Sequence, residues 1–126
     1  MTTTRPRRLV VDLNATAPSW ALPAWGEGAI REAAPPDWDI YFVRELTVSD
    51  GDGGSGESPE VLQASADAEV YFGYGLSPQL FAAATRLRWV HSAAAGVASL
   101  LFPAMLASQV RLTNSAGVMG DTIAEL

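Results

Sequence analysis

Five short runs of apolar residues, each followed by a segment with helix-start or turn chemistry, constrain this chain more than any other feature. Arg8-Leu9-Val10-Val11-Asp12-Leu13, closed by Asn14, is the first run. Asp39 to Val43, Val70 to Phe72, Leu87 to His91 and Val110 to Thr113 are the others. Runs this short, rich in β-branched and aromatic residues, read as strands buried on both sides. The intervening segments read as helices. Trp20 to Glu32 carries Leu22, Trp25, Ala29 and Ile30 at roughly helical spacing, with Pro23 near its start and Pro35-Pro36 stopping it. Ser58-Pro59-Glu60 and Ser77-Pro78-Gln79 each place a capping serine before a proline at the first helical position, and the second helix carries Leu80, Phe81 and Ala84. Gly96 to Ala107 reads as helical with a break at Pro103. Alternation of this kind predicts an α/β fold: a parallel sheet of about five strands with helices on both faces, flavodoxin-like in its three layers. One sequence does not order the strands.

Two stretches stand apart. The run from Ser49 to Ser58, SDGDGGSGES, has no apolar side chain and reads as a flexible surface loop. Asp121 to Leu126 begins a helix, with Ile123 and Leu126 on one side, and then the sequence ends without a helix-stop signal. So short a helix is marginal alone, and the expectation is a chain cut inside a longer protein.

At 126 residues one domain is expected, and 48% apolar against 17% charged residues suffices for a core. A net charge of −6 argues against a nucleic-acid partner, since phosphates want a basic face. All 8 basic residues are arginine. Without lysine there is neither a Schiff base nor a P-loop. Without cysteine there is no disulfide and no zinc–thiolate site, and the single histidine excludes a multi-histidine metal centre. No stretch reaches the ~18 apolar residues of a membrane span. The expected location is the cytoplasm.

Ligands of an open parallel sheet bind at the carboxyl ends of its strands. After the first strand, Asn14 to Ser19 contains no glycine and makes a poor phosphate cradle. After the third, Gly73-Tyr74-Gly75 either lets backbone approach a ligand while Tyr74 presents its ring and hydroxyl, or is a tight turn before the Ser77 cap. After the fourth, Ser92 to Val97 leaves the N–H groups of Ala95 and Gly96 unobstructed at an expected helix start, where a small carboxylate is the natural guest. Close helix–sheet packing also explains its small residues. His91 reads as a structural histidine, and Asn114 as a turn former. Trp38 and Trp89 read as core, Trp20 and Trp25 as packing the first helix to the sheet, and Arg5, Arg7 and Arg8 as a solvated tail.

Taken in order, Phe72-Gly73-Tyr74-Gly75-Leu76-Ser77-Pro78-Gln79-Leu80, Leu87-Arg88-Trp89-Val90-His91-Ser92, Ala94-Ala95-Gly96-Val97, Leu112 to Val118 and Ile123-Ala124-Glu125 resemble the D-isomer-specific 2-hydroxyacid dehydrogenases. The likeness covers the first part of their substrate (catalytic) domain, clearly from Ala66 to Leu126. It implies residues 1–120 as the N-terminal portion of that domain and 121–126 as the start of an interdomain helix, with the dinucleotide-binding domain absent. The implied activity is NAD(P)-dependent interconversion of 2-keto acids and D-2-hydroxy acids by the full-length protein, with this part alone inactive. It implies NAD or NADP in the full-length protein, none bound here, no metal, a small 2-keto or 2-hydroxy acid as ligand, and a homodimer at full length. The implied substrate-binding residues are Tyr74, Gly75, Ala95 and Gly96, while the family's catalytic arginine, glutamate and histidine lie past residue 126. Two departures leave the preferred acid open: Ala98 stands where the family commonly has aspartate, and the loop after the third strand has no arginine. The rival from another class is a stand-alone flavodoxin-like binding or signalling domain without catalytic activity.

Overall fold

The computed structural model describes residues 6–15, 18–46 and 58–115. Five strands form one parallel sheet: β1 (Arg7–Asp12), β2 (Trp38–Phe42), β3 (Val70–Gly73), β4 (Trp89–Ser92) and β5 (Arg111–Thr113). Their order is β2-β1-β3-β4-β5, so the architecture is α/β and flavodoxin-like. Every expected strand is present, with bounds shifted by a residue or two.

Parity along each strand divides its residues between two faces. Val10 lies beside Tyr41 and Tyr71, Tyr71 beside Val90, and Val90 beside Leu112. These join the larger core cluster with Val61, Ala64, Leu80, Leu100 and Met105. The covering elements are α2 (Pro59–Ser65), α3 (Pro78–Ala83) and α4 (Pro103–Ala107). On the opposite face Val11 lies beside Phe42 and Phe72, and Leu9 beside Ile40 and Val70. Here α1 (Gly26–Ala33) brings Ile30 against the sheet. The split follows from handedness: β1 to β2 moves one way across the sheet and the later crossovers move the other, so right-handed connections put α1 alone on its face.

Local chemistry sets the helix starts. Ser58 Oγ accepts the Val61 amide at 3.2 Å, and Ser77 Oγ accepts the Leu80 amide at 3.1 Å, with proline next in each case. Three expectations need correction. The first helix does not begin at Trp20: Pro18–Trp20 is a separate 3-10 turn and α1 starts at Gly26, past Pro23. Trp25 is therefore 75% exposed and Trp20 40%. The helix expected over Gly96 to Ala107 is a 3-10 turn at Ala98–Leu100 followed by the short α4, because Phe102 precedes Pro103 and is held extended. Nor are Arg7 and Arg8 a tail. Both belong to β1, where Arg7 grips Glu69 through two nitrogens and Arg8 pairs with Asp39 at 2.8 Å. The loop expected over 49–58 lies mostly, and Arg5 and the helix from Asp121 entirely, outside the described residues.

Candidate functional site at the carboxyl edge

The strand order reverses direction between β1 and β3, which opens the fold's usual ligand crevice at their carboxyl ends. In this chain that crevice is filled from within. Asp12 ends β1 at 2% exposure, and the single Tyr71 hydroxyl lies 2.5 Å from its Oδ2, to which it donates, and 3.0 Å from the Gly75 carbonyl. Gly73 lies where the two strands close: a Cβ there would meet the Tyr71 hydroxyl at 2.8 Å and the Asp12 carbonyl at 3.0 Å. An acid inside an otherwise apolar strand was the sequence signal for this knot, although its partner is 59 residues away.

Tyr74 does not present its hydroxyl to a ligand. Its side chain is buried and donates to the Trp20 carbonyl at 2.5 Å, with the two rings edge to face at 6.1 Å. Burial pushes its phenol up from the ordinary value of 10.0. Gly75 is buried too, its carbonyl beside the Tyr71 hydroxyl. Of the two alternatives for Gly73-Tyr74-Gly75, the turn before the Ser77 cap describes what these residues do.

The loop after β4 is built differently. Ala93 N–H donates to the Gly73 carbonyl at 2.8 Å and Ala94 N–H to Ser92 Oγ at 3.1 Å, which fastens the loop to β3 and β4. From beyond β5, Ser115 donates its hydroxyl to the Ser92 carbonyl at 2.9 Å and its amide to the Ala94 carbonyl at 3.2 Å. Asn114 Nδ2 donates to the Ala95 carbonyl at 2.7 Å. Carbonyls 92, 94 and 95 are thus satisfied, while the amides of Ala95 and Gly96 donate to no acceptor among the described residues. Both residues are exposed, and no atom beyond the chain neighbours lies within 4 Å of the Cβ position at Gly96. No helix starts at Gly96, so the dipole contribution expected from sequence is missing and only the two N–H groups remain to attract an anion.

His91 sits on the α1 face of the sheet. Its Nδ1 lies 2.7 Å from Thr113 Oγ1 and its Nε2 3.4 Å from Ser115 Oγ, and burial lowers its pKa below 6.5. Both ring nitrogens thus have internal partners, as a structural histidine requires.

A dinucleotide's pyrophosphate needs a glycine-rich turn between a strand and a helix N-terminus. The described turns do not fit one. After β1, Asn14 spends its side-chain amide on the Arg44 carbonyl. After β3, Tyr74 fills the turn and Pro78 stands where a third glycine would be. Gly51, Gly53 and Gly56 have the required spacing but lie well past the end of β2 and outside the described residues. Among the described residues no group of histidines or carboxylates assembles a metal site, and no helix is long and apolar enough to cross a membrane. Comparison with protein-family models and with curated proteins finds no match.

Proposed function

We propose that this chain is the substrate-holding portion of a D-isomer-specific 2-hydroxyacid dehydrogenase, an NAD(P)-dependent oxidoreductase for 2-keto and D-2-hydroxy acids. The observation that carries the reading is the propped loop after β4, with the adjacent Ala95 and Gly96 amides exposed and without an acceptor among the described residues. Two neighbouring N–H groups suit a carboxylate, and hydrogen bonds to a charged oxygen are roughly twice as strong as neutral ones. The struts from Asn114 and Ser115 fix the loop before a ligand arrives, so little ordering is left to oppose binding. On this reading the chain binds and orients the acid group. Proton and hydride transfer belong to residues and to a dinucleotide site outside those described. Tyr74 and Gly75, buried and internally bonded, support the turn beside that loop.

A stand-alone signalling or flavin module has less behind it. A phosphoacceptor site needs an acidic cluster with a lysine, and the chain has no lysine.

Titration of the chain with pyruvate and larger 2-keto acids, followed by backbone amide NMR, tests the proposal. The Ala95 and Gly96 resonances are expected to shift saturably, and Gly96→Val, which crowds the amide, to abolish the effect without unfolding. With NADH and the same acids, residues 1–126 are expected to give no turnover. Unmoved amides across the panel, or turnover by this chain alone, overturn it.

A further inference from the structure

Among the described residues, the face of the sheet that carries α1 is only half covered. Over β1 and β2 it is packed by Leu22 and Ile30. Over β3, β4 and β5, no described helix crosses Val70, Phe72, Trp89, His91 and Thr113. Parallel sheets are normally covered on both faces, yet Trp89 is 41% exposed here. The amino half of this strip, Val70, Phe72 and Trp89, with Leu9 beside it and the end of α1 as one wall, lines a groove of about 950 Å³.

The floor of this groove is dry in its chemistry. The Trp89 Nε1–H, the one polar group of its rings, is donated away to Thr113 Oγ1 at 2.8 Å. What remains for an occupant is ring and aliphatic surface: Phe72 and Trp89, with Leu9, Val70 and Val110 beside them. The two interstrand spacings from β3 to β5 give a lane about 10 Å wide, close to the diameter of an α-helix.

The amino end of the groove is basic within an acidic chain. Among the described residues, Arg7, Arg88 and Arg111 line it, with Glu69 the only acid. Arg7 occupies both Glu69 oxygens, at 3.1 and 3.2 Å. Arg88 stands 3.7 Å from that carboxylate with its side chain 72% exposed, and Arg111 has no carboxylate partner among the described residues. A small molecule would leave most of the lane in water.

We infer that this groove docks an amphipathic helix of a partner polypeptide, its apolar stripe on Phe72 and Trp89 and its carboxylates at one end against Arg88 and Arg111. The surface lies on the sheet face and toward the amino edge, so it is independent of the carboxyl-edge reading above.

The probe is a synthetic helical peptide of about four turns with leucine at i, i+3, i+4 and i+7 and three glutamates in its first turn. Its twin carries lysine in place of glutamate. The readout is the Trp89 indole N–H resonance, assigned with Trp89→Phe, in titrations of the whole chain. The acidic peptide is expected to shift that resonance saturably and to bind about tenfold or more tighter than its twin. Arg88→Glu with Arg111→Glu is expected to reverse the preference, which a variant that merely unfolds cannot do. Equal binding of the two peptides, or binding of neither, overturns the inference. So does a free chain that sediments as a dimer or already shields the Trp89 indole from solvent, since the groove would then have another occupant.

Discussion

At Gly73 the backbone of β3 passes so close to β1 that a methyl group has no room. The two nearest obstacles are the Tyr71 hydroxyl, itself held by Asp12 and Gly75, and the Asp12 backbone carbonyl. Neither can yield cheaply. Gly73→Ala is therefore expected to cost about 1–3 kcal/mol of stability, in the range of overpacked cores. Gly96→Ala, with open space around its Cβ position, is expected to fall within about 0.5 kcal/mol of wild type. Urea denaturation of the two variants checks the contrast, and equal losses at both sites would contradict it. Sequence treated both glycines alike, as places where backbone can come near a ligand. The difference between them is the presence of Tyr71 and Asp12 at one and of nothing at the other, which only the packed chain reveals.

Among the elements, α3 shows how local signals succeed. Ser77-Pro78 supplies a side-chain acceptor for the Leu80 amide and a residue already fixed in helical φ, and both features are written within four consecutive residues. A helix of 6 residues has little stability of its own, so the cap matters. Ser77→Ala is expected to lose about 1 kcal/mol and Ser77→Asp to recover most of it, as read from thermal midpoints. An alanine variant indistinguishable from wild type would mean that burial of Leu80, which is 1% exposed, fixes the helix unaided. The stretch from Gly96 to Ala107 shows the converse. Its composition suits a helix, yet the loop before it is tied down by Ser92, Asn114 and Ser115, and Pro103 forbids helical backbone at Phe102. The proline was legible; the ties, made from another strand's end, were not.

For the whole molecule, pH integrates these contacts. The Arg7 guanidinium beside Glu69 holds that carboxyl below its ordinary 4.5, and burial holds the His91 imidazole below 6.5. In both cases the unfolded chain takes up the proton first, so stability is largest at neutral pH and falls with acid. The decline is expected to begin as pH drops below about 6.5, through His91, and to steepen below about 4.5 as Glu69 is protonated. His91→Gln should remove the earlier phase and leave the later one, and Glu69→Gln should diminish the later one, to which Glu27 and Glu60 also contribute, and leave the earlier. Urea midpoints measured across that range check both, and a chain that gained stability between pH 6.5 and 5 would contradict the assignment to His91.

The five strands and the serine-capped starts of α2 and α3 are legible in the sequence, because strand runs and caps act within a few residues of where they are written. The sequence also marked the loop after β4 by its run of small residues, which are visible one by one. The tertiary structure alone decided the strand order, the burial of Tyr74 and Gly75, the entry of Arg7 and Arg8 into the sheet, and the half-bare face over β3 to β5. Those outcomes depend on partners twenty to sixty residues apart, and no local pattern names a partner at such a distance: it is chosen by which faces meet when the sheet closes.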